Sequence, residues 1–260
     1  MNKDQLLTDD KIYVINMKSN FERYNNMKKN LYNISINDWN LYQAIDGKKL
    51  TFNDCKHIVD FETFNNSKKD YRLSNSMHCL GSIGCFLSHY NIWKILAEND
   101  FGKNWYMIME DDIEFPSHFS FKVEKYIKDL DFGNNPNVGY LSIGEIGSGS
   151  HQFGFPKNLE MKELKKFKLK YSKGKQVDLD SIDGSIILNA RFTGASCYII
   201  SKLFAKQLIK TLEFHRANLQ LDWWLSFLRT EEYPIFHAEL PIVNLSELHK
   251  KSDILHTPVK

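Results

Sequence analysis

The sequence predicts an α/β fold, and three observations carry that prediction. Short apolar runs that read as buried strands alternate with stretches of helical period along most of the 260 residues. The first such run, residues 11–16, passes almost at once into a helical pattern, the strand-then-helix order of an open nucleotide-binding sheet. Further on, the apolar run Trp105-Tyr106-Met107-Ile108-Met109 ends in Glu110-Asp111-Asp112. Carboxylates massed at the end of a buried strand gain nothing for stability, because like charges repel and burial disfavours their ionised forms.

Composition sets the bounds. Lys and Arg number 34 against 32 Asp and Glu, a net charge of +2, so no nucleic-acid partner is expected. An aromatic content of 13% and charged residues at 25% describe a globular chain, read here as a single domain over 1–260. The start of the sequence has no apolar leader pattern and no run reaches 18 apolar residues, so the expectation is a soluble, cytoplasmic protein. Cys55, Cys79, Cys85 and Cys197 show no Cys-x-x-Cys spacing and are read as free thiols. A basic segment at 157–175 carries eight lysines against Glu160 and Glu163. It is either a solvated face or a peripheral contact with an anionic membrane surface.

The elements follow in order. Residues 11–16 form the first strand, and Ser19-x-x-Glu22 has capping-box spacing before a helix from about 20 to 32. Asn16, Lys18 and Arg23 then lie near the carboxyl edge of the sheet, where nucleotides bind, although a helix arginine is also an ordinary surface charge. Residues 38–45 alternate like a second strand and end at Asp46-Gly47; an acid there either accepts from ribose or base or serves the turn alone. The polar stretch 51–78 reads as an excursion or lid-like loop. Ile83, Phe86, Leu87, Tyr90, Trp93 and Leu96 give the next helix its period, with Ser88 and His89 inside it as a satisfied buried pair or as site residues.

After the acidic strand, Phe119, Val123, Tyr126, Ile127 and Leu130 mark a helix, and residues 137–144 a strand. That strand opens into a glycine-rich loop holding Glu145 and His151, without a phosphate-loop or dinucleotide fingerprint. Gly194 leads small residues into a strand, and Ser201 caps the helix that follows. Asp222-Trp223-Trp224 opens a short helix, where an acid caps or catalyses and two indoles form core or a wall for a sugar ring. Residues 233–238 make the last strand.

Strand alternation puts Glu110 and Asp112 on one side of the chain and Asp111 on the other. The pair reads as an acid-x-acid clamp for Mn²⁺ or Mg²⁺, hard cations that keep positions for water and phosphate oxygens. A solvated acidic turn is the alternative reading.

Taken together, Tyr13-Val14-Ile15-Asn16 with Arg23, Ala44-Ile45-Asp46-Gly47, Gly84-Cys85-Phe86-Leu87-Ser88-His89, Glu110-Asp111-Asp112, residues 194–201, Asp222-Trp223 and Pro241 with Ser252-Asp253-Ile254 resemble the family 25 glycosyltransferases. That family includes lipooligosaccharide galactosyltransferases and collagen galactosyltransferases. The resemblance implies a GT-A-like, Rossmann-type mixed sheet and a UDP-sugar donor such as UDP-galactose. It also implies a divalent metal at Glu110 and Asp112, inversion at the anomeric carbon, and a saccharide or glycolipid acceptor. The expected donor contacts are Asn16, Arg23, Asp46, Ser88, His89, Asp111 and Gly194. Asp222 is the expected base, Glu145 its rival, and His249 or His256 a third candidate ligand. Ser82 and Met17-Lys18-Ser19 depart from the family pattern. Two further classes fit the same residues: a catalytically silent sugar-binding or scaffold protein, and a metal-dependent phosphohydrolase.

Overall fold

The structure, a computed structural model, describes residues 7, 11–69, 77, 79–98, 102, 104–144, 186–188, 194–228, 235–238 and 243–248. The basic segment at 157–175, Glu145, His151, His249, His256 and Ser252-Asp253-Ile254 lie outside them. Strand β1 (Ile12–Asn16) leads into α1 (Phe21–Asn33) and β2 (Asn40–Gln43). A one-turn 3₁₀ helix (Gly47–Lys49), α2 (Phe52–Cys55), α3 (Phe61–Lys68) and the long α4 (Leu80–Glu98) follow. Next come β3 (Trp105–Glu110), β4 (Ile113–Glu114), α5 (Phe119–Asp129), β5 (Tyr140–Ser142) and β6 (Ile186–Leu188). The chain continues through β7 (Cys197–Ser201), α6 (Lys202–Phe214), α7 (Leu221–Phe227), β8 (Ile235–Ala238) and β9 (Asn244–Leu245).

Seven strands make one sheet in the order β2-β1-β3-β7-β5-β8-β6, and β4 pairs with β9 in a second, two-stranded sheet. β1 runs parallel to β2 and β3, whereas β7 is antiparallel to both β3 and β5. The carboxyl ends of β1, β2, β3 and β5 therefore meet the amino end of β7 along one edge. Both faces of the sheet are covered. Tyr106 and Ile108 of β3 join the core beneath α4 and α6, while Trp105, Met107 and Met109 join the core beneath α1 and α5. Such two-sided burial explains why β3 reads as a continuous apolar run rather than an alternating one.

Local chemistry confirms several boundaries and moves others. Ser201 caps α6 by accepting from the Phe204 amide. The capping box expected at Ser19 does not form: Asn20 is the cap residue of α1, with no side-chain cap bond, and the Asn16 amide donates to the Asn20 carbonyl instead. The stretch read as a loop from residue 51 contains two helices. α2 starts with a real capping box, in which Asp54 Oδ2 accepts from the Thr51 amide at 2.8 Å, and Asp60 caps α3. Among the described residues no helix is long and apolar enough to cross a membrane.

α4 is buried around most of its circumference, and it packs closely on the loop that leaves β2. A Cβ added at Gly84 would lie 2.5 Å from the Ile45 carbonyl oxygen and 2.8 Å from the Gly47 nitrogen; one at Gly47 would strike the Leu80 carbonyl. Ser88 adds two bonds at this contact, accepting from the Ile45 amide at 2.9 Å and donating to the Gly84 carbonyl at 2.7 Å. Two backbones thus meet where only glycine permits, which fixes Asp46 relative to α4. Gly84→Ala should lower stability by about 1–3 kcal/mol, the cost of overpacking. The urea midpoint then falls at constant m; an unchanged midpoint would show that the contact is loose.

Candidate active site

Glu110 is the last residue of β3, and its amide donates to the Ser196 carbonyl at 2.8 Å. The ladder stops there because β4 starts at Ile113 and pairs with β9 rather than with the main sheet. Asp111 and Asp112 consequently sit in a turn, where strand alternation no longer applies. Both reach the same guanidinium: Arg23 Nη1 lies 2.8 Å from Asp111 Oδ1, and Arg23 Nη2 lies 3.4 Å from Asp112 Oδ2. The expected geometry, with Glu110 and Asp112 together on one side and Asp111 on the other, is therefore replaced. Glu110 turns instead toward Cys85 and His89 on α4, with Cys85 Sγ 3.8 Å and His89 Nε2 3.4 Å from its Oε1. Asp112 still contributes to the field at Cys85, as do Glu110 and Asp222.

Arg23 and Asp111 are buried, at 8% and 5% exposure, so Arg23 is not a surface charge. Arg23 also donates to the Leu248 carbonyl at 3.0 Å, and Asn16 donates to Asp111 Oδ2 at 2.5 Å. Asn16 and Arg23, both expected at the donor, spend their donors on the acidic turn. Burial pushes the Asp111 carboxyl up to about 6, against the opposing pull of Arg23 and Asn16. The C-terminal segment closes the back of the turn, since the Ser246 amide donates to the Asp112 carbonyl at 2.7 Å.

The other expected site residues divide. Asp46 caps the 3₁₀ turn through the Lys48 amide and pairs with Lys49 at 3.4 Å, yet keeps a partly exposed side chain at the carboxyl edge. Ser88 is fully buried with its bonds directed to backbone, so it positions the Asp46 loop and does not line a cleft. His89 is fully buried beneath Glu110. Gly194, at φ +92°, directs its amide to Asp222 Oδ2 at 2.7 Å. Burial raises the Asp222 carboxyl despite that bond, and Glu110 raises it further. Asp222 is thus within electrostatic reach of the acidic strand end, not set apart from it. The tryptophans separate: Trp224 is core, 5.3 Å from Phe86 and 6.4 Å from Trp93 between ring centroids, while Trp223 is only partly buried.

From the sequence, Cys85 has no role beyond a free thiol in a family motif, and Tyr198 no site role. The spacing of Cys85 one helical turn before His89 signals a shared face. Nothing local marks Tyr198, which reaches His89 from β7. Cys85, His89 and Glu110 present ligand atoms within 4.8 Å of one another. Burial holds the Cys85 thiol well above its ordinary range, so it stays protonated and poorly suited to a hard cation. The carboxylates of Glu110 and Asp112 are the donors that suit Mn²⁺ or Mg²⁺.

Removing the charge from Arg23 should be costly, because it leaves a buried carboxylate unpaired. Arg23→Met is expected to lose about 3–5 kcal/mol in denaturant unfolding. Adding Asp111→Asn should recover part of that loss, and a double variant as unstable as the single one would contradict the pairing.

The model of glycosyltransferase family 25 (LPS biosynthesis protein) matches residues 9–223, from before β1 into α7. Procollagen galactosyltransferase 2 of Homo sapiens is 32% identical over 122 residues, covering 47% of this chain and 18% of that protein. The putative glycosyltransferase R655 of Acanthamoeba polyphaga mimivirus is 30% identical over 144 residues, 54% of this chain and 38% of the viral protein. The inactive glycosyltransferase 25 family member 3 of Mus musculus is 29% identical over 124 residues, 46% of this chain and 19% of that protein. These matches thus span about a fifth to two fifths of the relatives' own lengths. With the family model matched over β1 to β7, the acidic turn and Asp222, the chain belongs to glycosyltransferase family 25.

Proposed function

We propose that the chain is an inverting, metal-dependent glycosyltransferase that moves galactose from UDP-galactose onto a saccharide or glycolipid acceptor. The supporting observation is the pair Glu110 and Asp222. Burial and the neighbouring Glu110 carboxylate raise the Asp222 carboxyl, and among the described residues neither acid has a lysine or arginine partner. Together with Asp112 they form a concentration of negative charge at the sheet edge where nucleotides bind, and a cation is the simplest compensation. The galactosyl donor is inferred from the procollagen galactosyltransferase relatives.

In this reading Glu110 and Asp112 hold Mn²⁺ or Mg²⁺. A metal held by those carboxylates would supply Lewis-acid neutralisation of the charge on the donor diphosphate. Arg23 and Asn16 hold the turn so that Asp112 keeps its aim, and Asp46 lies where ribose or base would pass. Ser88, Asp111 and Gly194 act through the loops and carboxylates they fix. Asp222 takes the proton of the acceptor hydroxyl as its oxygen bonds to the anomeric carbon and UDP leaves from the opposite face. Its raised proton affinity suits that role. Glu145, in the glycine-rich loop, is the rival base. Trp223, partly buried beside Asp222, is the indole proposed to meet an acceptor ring. Peripheral contact with an anionic membrane surface belongs to the same reading, resting on the lysines of 157–175.

Acceptor-dependent release of UDP tests the proposal. A transferase releases UDP faster when acceptor is added, whereas a phosphohydrolase is indifferent to it and a silent binding protein releases none. Asp112→Asn should abolish metal-dependent transfer with the fold intact, and unchanged activity would remove Asp112 from the metal site. Asp222→Asn should lower kcat by about 10²–10⁴-fold, the range for loss of a general base, with metal-dependent donor binding retained. Loss of donor binding instead would make Asp222 a metal ligand, and a normal kcat would move the base to Glu145.

A further inference from the structure

Three polar side chains lie beneath Glu110 in a line that ends on its carboxylate. Trp93 Nε1 donates to Tyr198 Oη at 3.0 Å, Tyr198 Oη lies 2.7 Å from His89 Nδ1, and His89 Nε2 lies 3.4 Å from Glu110 Oε1. His89 and Tyr198 have no exposed surface, and Trp93 is equally buried. The proton positions follow from donor and acceptor capacity. An indole nitrogen only donates, so Tyr198 must accept from Trp93. The Tyr198 hydroxyl keeps one proton of its own, and burial holds that proton in place. Among the described residues its acceptor is His89 Nδ1. Were Nδ1 protonated instead, two N–H groups would point at one phenol oxygen and the buried phenol proton would have no acceptor.

We infer that His89 is held by Tyr198 and Trp93 as the Nε2–H tautomer, so that it donates to Glu110 and positions that carboxylate rather than serving as a metal ligand. A lone pair at Nε2 would make Cys85, His89 and Glu110 a soft three-ligand site. A proton there makes the same cluster a support for one oxygen-donor ligand. His89 Nε2 is buried with no hydrogen bond in its present orientation, and Glu110 Oε1 is the facing acceptor. At 3.4 Å the contact is longer than a formed N–H···O bond, and a small rotation of the partly exposed Glu110 closes it. With Oε1 so held, Oε2 is the oxygen left for a cation, the arrangement by which outer residues aim inner ligands. The inference rests on the reading of Glu110 as part of the active site, but the tautomer can be read without turnover.

The test is a long-range ¹H–¹⁵N spectrum of the full chain labelled at histidine, recorded above the ordinary histidine pKa. His89→Gln identifies the resonance by its disappearance. The expected result is a protonated Nε2 and an unprotonated Nδ1, unmoved by excess zinc chloride. A protonated Nδ1, or a zinc-induced shift of Nε2, would overturn the assignment. Activity gives a second measurement. His89→Gln places an amide donor near the Nε2 position and should keep most of kcat, while His89→Ala should lose about 10–100-fold, the usual effect of losing such a support. Equal losses in the two variants would count against donation to Glu110. A chain that transfers no sugar would overturn the function proposed above, while the spectrum would still decide the tautomer.

Discussion

The site depends on one guanidinium. Arg23 comes from the first helix, yet it binds Asp111 and Asp112 in the turn after β3 and the Leu248 carbonyl near the other end of the chain. Three segments distant in sequence are joined at a buried charge. Desolvation of Asp111 outweighs the attraction, as its raised pKa shows. A pair of this kind contributes little net stability, but breaking it is expensive, so its main effect is to fix where the turn points. The turn in turn sets Asp112, whose carbonyl receives the Ser246 amide.

On the opposite side of the edge, fixation comes from close packing without charge. Gly47 and Gly84 let the loop after β2 approach α4 at backbone distance, and Ser88 bonds both chains there. α4 then carries Cys85 and His89 to Glu110. A third support arrives through β7, whose Tyr198 reaches His89 from below, while the Gly194 amide ahead of the strand orients Asp222. The carboxylates proposed to work on the donor are thus held by separate devices: a buried ion pair, a glycine contact, and a line of hydrogen bonds.

The fold was legible where the physics is local. The buried run of β3, the helical period of α4 and α5 and the Ser201 cap each depend on neighbours in sequence, and each was found. The acidic cluster was legible too, but its geometry was not. Alternation does not hold past Glu110, because whether a strand continues depends on which partner it pairs with, and β9 lies 130 residues beyond β4. Arg23 looked like a helix surface charge or a donor contact because nothing in its own helix shows that Asp111 covers it. Trp223 and Trp224 are adjacent in sequence, but one is core and the other partly exposed, a distinction made by Phe86 and Trp93. The glycine-to-glycine contact was invisible for the same reason. Two motifs that read separately, Ala44-Ile45-Asp46-Gly47 and Gly84 through His89, are the two halves of one interface.

In the proposed function the carboxylates at the end of β3 bind a nucleotide sugar through a divalent cation. Thermal stability of the intact chain measured across a panel of nucleotide sugars, with and without Mn²⁺, tests it directly, because a ligand that binds only the folded state raises its melting temperature. The account predicts that UDP-galactose raises Tm only when Mn²⁺ or Mg²⁺ is present, and that Asp112→Asn removes the shift. An equal shift without metal, or one retained in Asp112→Asn, would contradict it.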